Sequence, residues 1–143
     1  MRLVEQGAAH VVTGALKLLE AAGVVDRCDC VGGSFFDSVP AGADAYLLKS
    51  VIHDWPDADA VAILRVCRAA MKPGGKLLLV EYVIGPPNEQ PAAKLMDLTM
   101  MVMLGAQERT EGQFARLFTE AGFTLTAVVP AAHGFCVLEG EPS

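Results

Sequence analysis

The sequence has little positive charge and no long hydrophobic run. Its 11 lysines and arginines are scattered singly among 17 acidic residues, which gives a formal net charge of −6. A protein that follows phosphates needs a basic stripe, so we expect no nucleic acid partner. The charge-free apolar stretches at residues 6–16 and 98–107 are too short to cross a bilayer. We therefore expect no membrane partner and a cytoplasmic location.

The sequence also lacks the common glycine-rich and nucleophile motifs. It has no Gly-x-Ser-x-Gly elbow, no Walker loop and no Gly-x-Gly-x-x-Gly fingerprint, which disfavours a nicotinamide-dependent oxidoreductase. Cysteine is scarce, and of its four copies only Cys28 and Cys30 are close in sequence, without a second pair or nearby histidines. We expect no metal site, and we interpret the cysteines as buried small hydrophobic residues in a reducing compartment.

The length, composition and hydrophobic periodicity of the sequence predict one compact α/β domain. The chain has 143 residues, 52% hydrophobic and 20% charged, enough for one core covered on both faces. Periodicity predicts helices at residues 11–22, 57–71, 92–104 and 110–121, and strands at 28–31, 44–52, 76–84, 124–129 and 135–138. Residues 44–84 would form a strand–helix–strand crossover, and the last two strands would be antiparallel. The helix at 92–104 is apolar on nearly every side, so we expect it to be buried.

The most informative stretch is residues 47–56, LLKSVIHDWP, an apolar strand that breaks at His53. Glu81 lies toward the end of the next strand, and Glu108 directly precedes a capping-box pattern formed by Thr110 and Gln113. If the two strands are neighbours, their carboxyl ends converge, and a carboxylate beside an imidazole makes a general-base arrangement. The alternatives are that His53 only forms a turn and that Glu81 is a polar residue at a solvated strand end.

Two segments of the chain carry a resemblance to a known family. The first is LLKSVIHDWPDADAVAILRVCRAAMKPGGKLLLVEYVI, and the second is DLTMMVMLGAQERTEGQFARLFTEAGF. With HDW, the strand glutamate and ERT in that order, the chain from about Ala9 onward resembles the catalytic domain of S-adenosylmethionine-dependent small-molecule O-methyltransferases of the plant phenolic and bacterial natural-product type. The resemblance implies a class I methyltransferase, Rossmann-like α/β sheet with helices on both faces, and S-adenosyl-L-methionine as cofactor.

The same resemblance implies roles for individual residues. His53 would accept the proton of a small aromatic or polyketide-like hydroxyl for in-line methyl transfer, with Glu81 and Glu108 as the carboxylates that bracket it. The implied cofactor-binding residues are Gly33, Ser34, Phe35 and Lys49, and the implied substrate-binding residues are Asp54, Trp55, Met100 and Met103. The methionines of helix 92–104 have an alternative interpretation as adaptable core.

The chain also departs from the family pattern. Ser34 stands where the family commonly has an aspartate, and Gly7 matches the position of the acidic residue that binds ribose. The family's first strand, its glycine-rich loop and its amino-terminal dimerisation domain have no counterpart, so we expect residues 1–143 to be a partial catalytic domain with little or no cofactor affinity alone.

The missing strand has structural consequences. Residues 47–51 would form an unpaired apolar edge, and residues 28–31 would be left without neighbours unless they pair there. The family's members are expected to be homodimers, and this chain would self-associate through its open edge or through its methionine-rich helix. The alternative function is therefore a non-catalytic fragment or interaction module.

Overall fold

The fold is described from a computed structural model of residues 3–89, 91–104 and 106–143. Its strands are β1 (Leu3–Gly7), β2 (Cys28–Gly32), β3 (Ala45–Lys49), β4 (Lys76–Ile84), β5 (Arg109–Thr110), β6 (Phe123–Pro130) and β7 (Phe135–Pro142). Its α-helices are α1 (Ala9–Ala21), α2 (Asp57–Ala70), α3 (Pro91–Leu104) and α4 (Glu111–Glu120), and a 3-10 turn spans Ile52–Asp54. Within these described ranges no helix is both long and apolar enough to span a membrane.

The larger sheet has the strand order β3-β4-β7-β6. β3 and β4 are parallel, with Leu48 beside Leu79, and α2 connects them. This parallel pair confirms the predicted crossover. β7 is antiparallel to both β4 and β6, and its pairing with β6 confirms the predicted antiparallel closing strands. The two-residue strand β5 pairs in parallel with the end of β4. The carboxyl ends of β3 and β4 therefore lie side by side, as the base hypothesis requires.

The core lies where α2 and α4 cover one face of this sheet. Alternate residues of β4 are buried, which is the period expected of a strand that turns one side to a core. These buried positions are Leu77, Leu79, Glu81 and Val83, which pack among buried apolar residues of both helices. Glu81 is thus the one carboxylate in an apolar series, and the strand period itself places it inside the protein.

A smaller unit consists of β1, α1 and β2. The two strands are parallel, with Leu3 beside Cys28 and Gly7 beside Gly32. The expectation that residues 28–31 would be left without neighbours is therefore wrong. Helix α1 returns the chain so that β1, which the sequence patterns did not predict as a strand, satisfies the backbone hydrogen bonds of β2. Much of the unit's apolar surface is exposed, including Leu3, Val11, Leu16, Leu18 and Val31.

The predicted strand at 44–52 ends earlier than expected. Ser50 has a φ of 53°, which breaks the extended backbone, and residues 52–54 form the 3-10 turn instead. Within the described chain β3 pairs only with β4, and Leu47 is 63% exposed. The predicted open apolar edge is confirmed.

Helix α3 is present, but the expectation that it is buried is wrong. Four of its apolar side chains are between 55% and 80% exposed: Leu95, Leu98, Met101 and Val102. A helix that is apolar all round does not reveal which side is covered. Among the described residues, α3 packs mainly against β4 and the 3-10 turn, so its opposite side remains open.

Candidate active site

His53 lies in the 3-10 turn that follows β3, and this turn is held by Glu81. The backbone N–H groups of Val51 and Ile52 donate hydrogen bonds to Glu81 Oε1, at 3.0 and 2.8 Å. Glu81 itself is fully buried on β4. The carboxylate therefore replaces the strand partner that these two N–H groups would otherwise need, and it fixes the backbone that carries the histidine.

The imidazole of His53 contacts both buried glutamates through one nitrogen. Nδ1 lies 2.9 Å from Glu108 Oε1 and 3.6 Å from Glu81 Oε2, while Nε2 lies 3.4 Å from Oδ1 of the exposed Asp54. When Nδ1–H donates to Glu108, the lone pair of the neutral ring is on Nε2. The nitrogen that can accept a proton therefore points away from the two glutamates.

Glu108 is positioned by the elements on either side of it. Its backbone N–H donates to Asp97 Oδ1 of α3 at 2.8 Å, and the preceding N–H of Gln107 donates to the His53 carbonyl at 3.2 Å. After Glu108 the chain enters β5 and then α4, whose capping box between Thr110 and Gln113 is present as predicted. The backbone that carries the carboxylate is thus held by three neighbouring elements, as a precise contact requires.

The electrostatics favour proton uptake by His53. The hydrogen bond to Glu108 raises the pKa of His53, burial opposes this, and the negative charges of Glu81, Glu108 and Asp54 add to the increase. Burial also raises the pKa of Glu81, against the opposing effects of His53 and the two N–H groups. Among the described residues, Glu81 Oε2 and Glu108 Oε2 are buried without a hydrogen-bond partner, so a charged imidazolium would be well compensated here.

The same three side chains offer one nitrogen and two carboxylate oxygens within 4.8 Å of one another. These are donor types that divalent cations use in proteins. A cation bound at Nδ1 would have to displace the proton shared with Glu108. Because a hydrogen bond already explains the short Nδ1–Oε1 distance, we interpret the cluster as a proton site.

A cleft of about 400 Å³ lies beside this turn. It is lined by Ala8, Gly33, Ser34, Phe35, Phe36 and Trp55. The ring centroids of Phe36 and Trp55 are 4.7 Å apart in an edge arrangement, and a Cβ on Gly33 would lie 3.1 Å from Gln6 Nε2. Aromatic walls are suited to a flat apolar ring system.

The structure brings three of the predicted cofactor residues together and places the fourth elsewhere. Gly33, Ser34 and Phe35 line the cleft, whereas the exposed Lys49 has its Nζ 4.9 Å from the ring centroid of Phe135. Trp55, predicted to contact substrate, forms part of the cleft wall.

The other predicted substrate residues lie around the base turn and on α3. Asp54 is exposed next to the imidazole, and Met100 is half-buried on α3. The side chain of Met103 lies outside the described residues. The roles of all these residues remain predictions.

Three residues that organise the site were not predicted from the sequence: Asp97, Gln107 and Arg109. Asp97 had a usable signal, because it is the only charged residue between Lys94 and Glu108, and a lone carboxylate in an apolar stretch needs a partner. Arg109 lay inside the ERT motif without an assigned role. Only the folded chain shows that its side chain reaches back to the histidine turn.

Comparison with known proteins gives a consistent result. A family model described as an O-methyltransferase domain matches residues 1–124. Phenazine O-methyltransferase of Lysobacter antibioticus is 50% identical over 134 residues, 93% of this chain. An 8-amino-8-demethylriboflavin N,N-dimethyltransferase of Streptomyces davaonensis is 38% identical over 131 residues, 90% of this chain.

A solved structure has the same fold. An O-methyltransferase from neocarzinostatin biosynthesis, crystallised with S-adenosylmethionine and 2-hydroxy-5-methyl naphthoic acid, superposes with a TM-score of 0.90 at 33% identity over the whole of this chain. The chain spans 39% of the Lysobacter enzyme, 37% of the Streptomyces davaonensis enzyme and 42% of the crystallised one.

Proposed function

This chain belongs to the O-methyltransferase domain family, and we propose that it carries the general base and cofactor-binding residues of an S-adenosyl-L-methionine-dependent enzyme that methylates a small aromatic or polyketide-like hydroxyl. The observation that carries the proposal is the His53 imidazole, whose Nδ1 is fixed by Glu108 while Nε2 is left to accept a proton. The named acceptors of the relatives, a phenazine and a naphthoic acid, support an aromatic substrate.

His53 would act as the general base. A phenol has a pKa of about 10 and is mostly protonated at neutral pH, whereas neutral imidazole, with a pKa near 6.5, can take its proton as the oxygen attacks. The proton moves from the hydroxyl to Nε2, and Glu108 and Glu81 stabilise the positive charge that develops on the ring. Glu81 has the additional role of holding the turn through Val51 and Ile52.

The aromatic cleft fits the adenine part of the cofactor. Phe35, Phe36 and Trp55 would contact the ring, and Gly33 lines the cleft beside it. When bound, S-adenosyl-L-methionine supplies a methyl group on a positively charged sulfur that an oxygen lone pair attacks. Trp55 belongs both to the cleft and to the segment after His53, so it would hold donor and base in one arrangement, where alignment itself accelerates the reaction.

A chimera tests this proposal directly. This chain would replace the matching segment of the Lysobacter phenazine O-methyltransferase. Transfer of a labelled methyl group to phenazine, phenol and naphthoic acid hydroxyls, and to an aromatic amine, would be measured. We expect transfer, and we expect His53→Gln to reduce kcat by about 10²- to 10⁴-fold, the usual contribution of a general base. His133→Asn is the control, because His133 is exposed and has a φ of 59°, which asparagine tolerates.

Two outcomes would contradict the proposal. One is a folded chimera that binds the cofactor and methylates none of these hydroxyls. The other is a His53→Gln variant as active as His133→Asn. Transfer to an aromatic amine in place of a hydroxyl would overturn the acceptor assignment alone, and the N,N-dimethyltransferase relative makes this arm necessary.

The exposed apolar surfaces favour a second candidate, an interaction module that associates through β3. Leu47 lies on the open edge, and four apolar side chains of α3 are exposed. Size-exclusion chromatography with light scattering would show a concentration-dependent dimer for this function. A monomer at every concentration would exclude association through the edge.

A further inference from the structure

Arg109 is the most deeply buried cation in the described chain, with 1% of its surface exposed, and the base mechanism does not use it. Burying a guanidinium is unfavourable unless its donors are satisfied. Its partners therefore reveal what the residue is built to hold.

All of these partners belong to the segment that contains His53. Arg109 Nη1 donates to the Ile52 carbonyl at 3.0 Å, and Nη2 donates to the Trp55 carbonyl at 2.7 Å. Nε and Nη2 both donate to Asp57 Oδ1, at 2.9 and 2.8 Å. The fork thus binds the backbone on both sides of the histidine and the first residue of α2.

The backbone of Arg109 is fixed just as firmly. Arg109 pairs with Val83 in the parallel ladder between β5 and β4, and Glu108 is its immediate neighbour. The side chain that holds the His53 turn and the side chain that contacts the imidazole therefore start from adjacent Cα atoms.

We propose that Arg109 is a positioning residue, which sets the His53–Glu108 hydrogen bond by fixing the turn of residues 52–55 relative to β5. Glu81 holds the N–H groups at the start of the turn and Arg109 holds the carbonyls of Ile52 and Trp55, so the backbone around His53 is clamped by groups of opposite charge. This role rests on the proposed function of His53 as base, but its test does not require methyl transfer.

The charges around the imidazole make the test decisive. His53 faces Glu81 from β4, Glu108 from the loop before β5 and Asp54 from its own turn. If Arg109 acted only through its positive charge, its removal would make protonation easier and raise the pKa of His53. If Arg109 acts by positioning, its removal loosens the Glu108 hydrogen bond and lowers the pKa of His53 toward 6.5, the ordinary value.

The experiment is an NMR titration of the 143-residue chain labelled with ¹⁵N in its three histidines. In Arg109→Met we expect the pKa of His53 to fall. We also expect the neutral tautomer with its proton on Nδ1 to lose population to the tautomer with its proton on Nε2. Asp57 is 57% exposed, so this change leaves no buried charge without a partner. Arg109→Lys keeps the positive charge but not the forked guanidinium, and we expect a smaller fall in the pKa of His53. If the methionine variant does not fold, the lysine variant alone decides between positioning and charge.

Arg68→Met is the matched control. The Arg68 guanidinium donates to the Gly122 carbonyl at 3.2 Å and joins α2 to the turn after α4, away from the histidine. We expect it to lower thermal stability without moving the pKa of His53. An unchanged or higher pKa of His53 in the Arg109 variants would overturn the inference. If the pKa of His53 in the unaltered chain is not raised above 6.5, the geometry proposed for the base is itself wrong.

Discussion

The two halves of the proposed site are built differently. The base half sits on the β3-β4-β7-β6 sheet, where His53, Glu81, Glu108 and Arg109 are all buried and tied to named partners. The cofactor half rests on the loop after β2, whose Phe35 and Phe36 pack against the core of that sheet. This loop follows a unit of two strands and one helix whose apolar residues are largely exposed. The proposed base thus belongs wholly to the well-packed sheet, whereas the proposed cofactor residues are supported partly by that sheet and partly by a unit whose apolar residues are largely exposed.

The largest expected difference between the two regions is in core substitutions. Phe118 is fully buried beneath the large sheet, so Phe118→Ala should cost about 3–5 kcal/mol of stability, as usual for an aromatic core residue. Leu18 of α1 is 73% exposed, and Leu18→Ala should change stability by less than about 0.5 kcal/mol. Urea denaturation measures both. Equal costs would mean that the smaller unit is as well packed as the larger.

Within the base half, Glu108 and Glu81 should differ in how far each raises the pKa of His53. The Glu108 hydrogen bond is the largest cause of the raised pKa, and the charge of Glu81 is a smaller one. Histidine NMR should therefore show a larger fall in the pKa of His53 for Glu108→Gln than for Glu81→Gln. The reverse order would mean that Glu81 is the main partner of the ring.

The hydrogen bond that joins β1 to the loop after β2 should be weak but measurable. Gln6 of β1 donates through Nε2 to the Ser38 carbonyl at 2.7 Å, in an exposed setting. Gln6→Ala should cost about 0.5–1.5 kcal/mol, the net contribution of one hydrogen bond. Amide exchange should show faster opening of β1 and β2 with β4 unchanged. Faster exchange throughout β4 would mean that the two regions unfold as one.

The smallest expected effect on stability is at the open edge of β3. Leu47→Glu places a charge on an exposed position of β3 and should change stability by less than about 0.5 kcal/mol. It should nevertheless abolish any dimer seen by light scattering, because charges on edge strands oppose pairing. A dimer that persists would place the interface elsewhere, with the exposed side of α3 as the next surface to test.

The sequence predicted the base half better than the rest of the fold, for physical reasons. His53 ends an apolar strand, and Glu81 lies in register with buried leucines, so strand period alone brings them to one edge. Glu108 could be placed because the capping box after it fixes the start of α4. Residues whose partners are distant in sequence, such as Arg109 with Ile52 and Trp55, gave no local signal.

The errors also have physical reasons. Strand β1 has no flanking pattern of its own and depends on β2 for pairing. The composition of α3 could not indicate which of its sides would be covered. The pairing of such a strand and the burial of such a helix depend on what packs against them, which a local sequence pattern does not contain.

The pH dependence of methyl transfer by the chimera tests the central claim most directly. A general base must be unprotonated, and because Glu108 raises the pKa of His53, the rate should rise with pH through a midpoint above 6.5. In His53→Gln the residual rate should lose this rise. A rate that is independent of pH between about 6 and 9, or a rise that survives in His53→Gln, would contradict the assignment of His53 as the base.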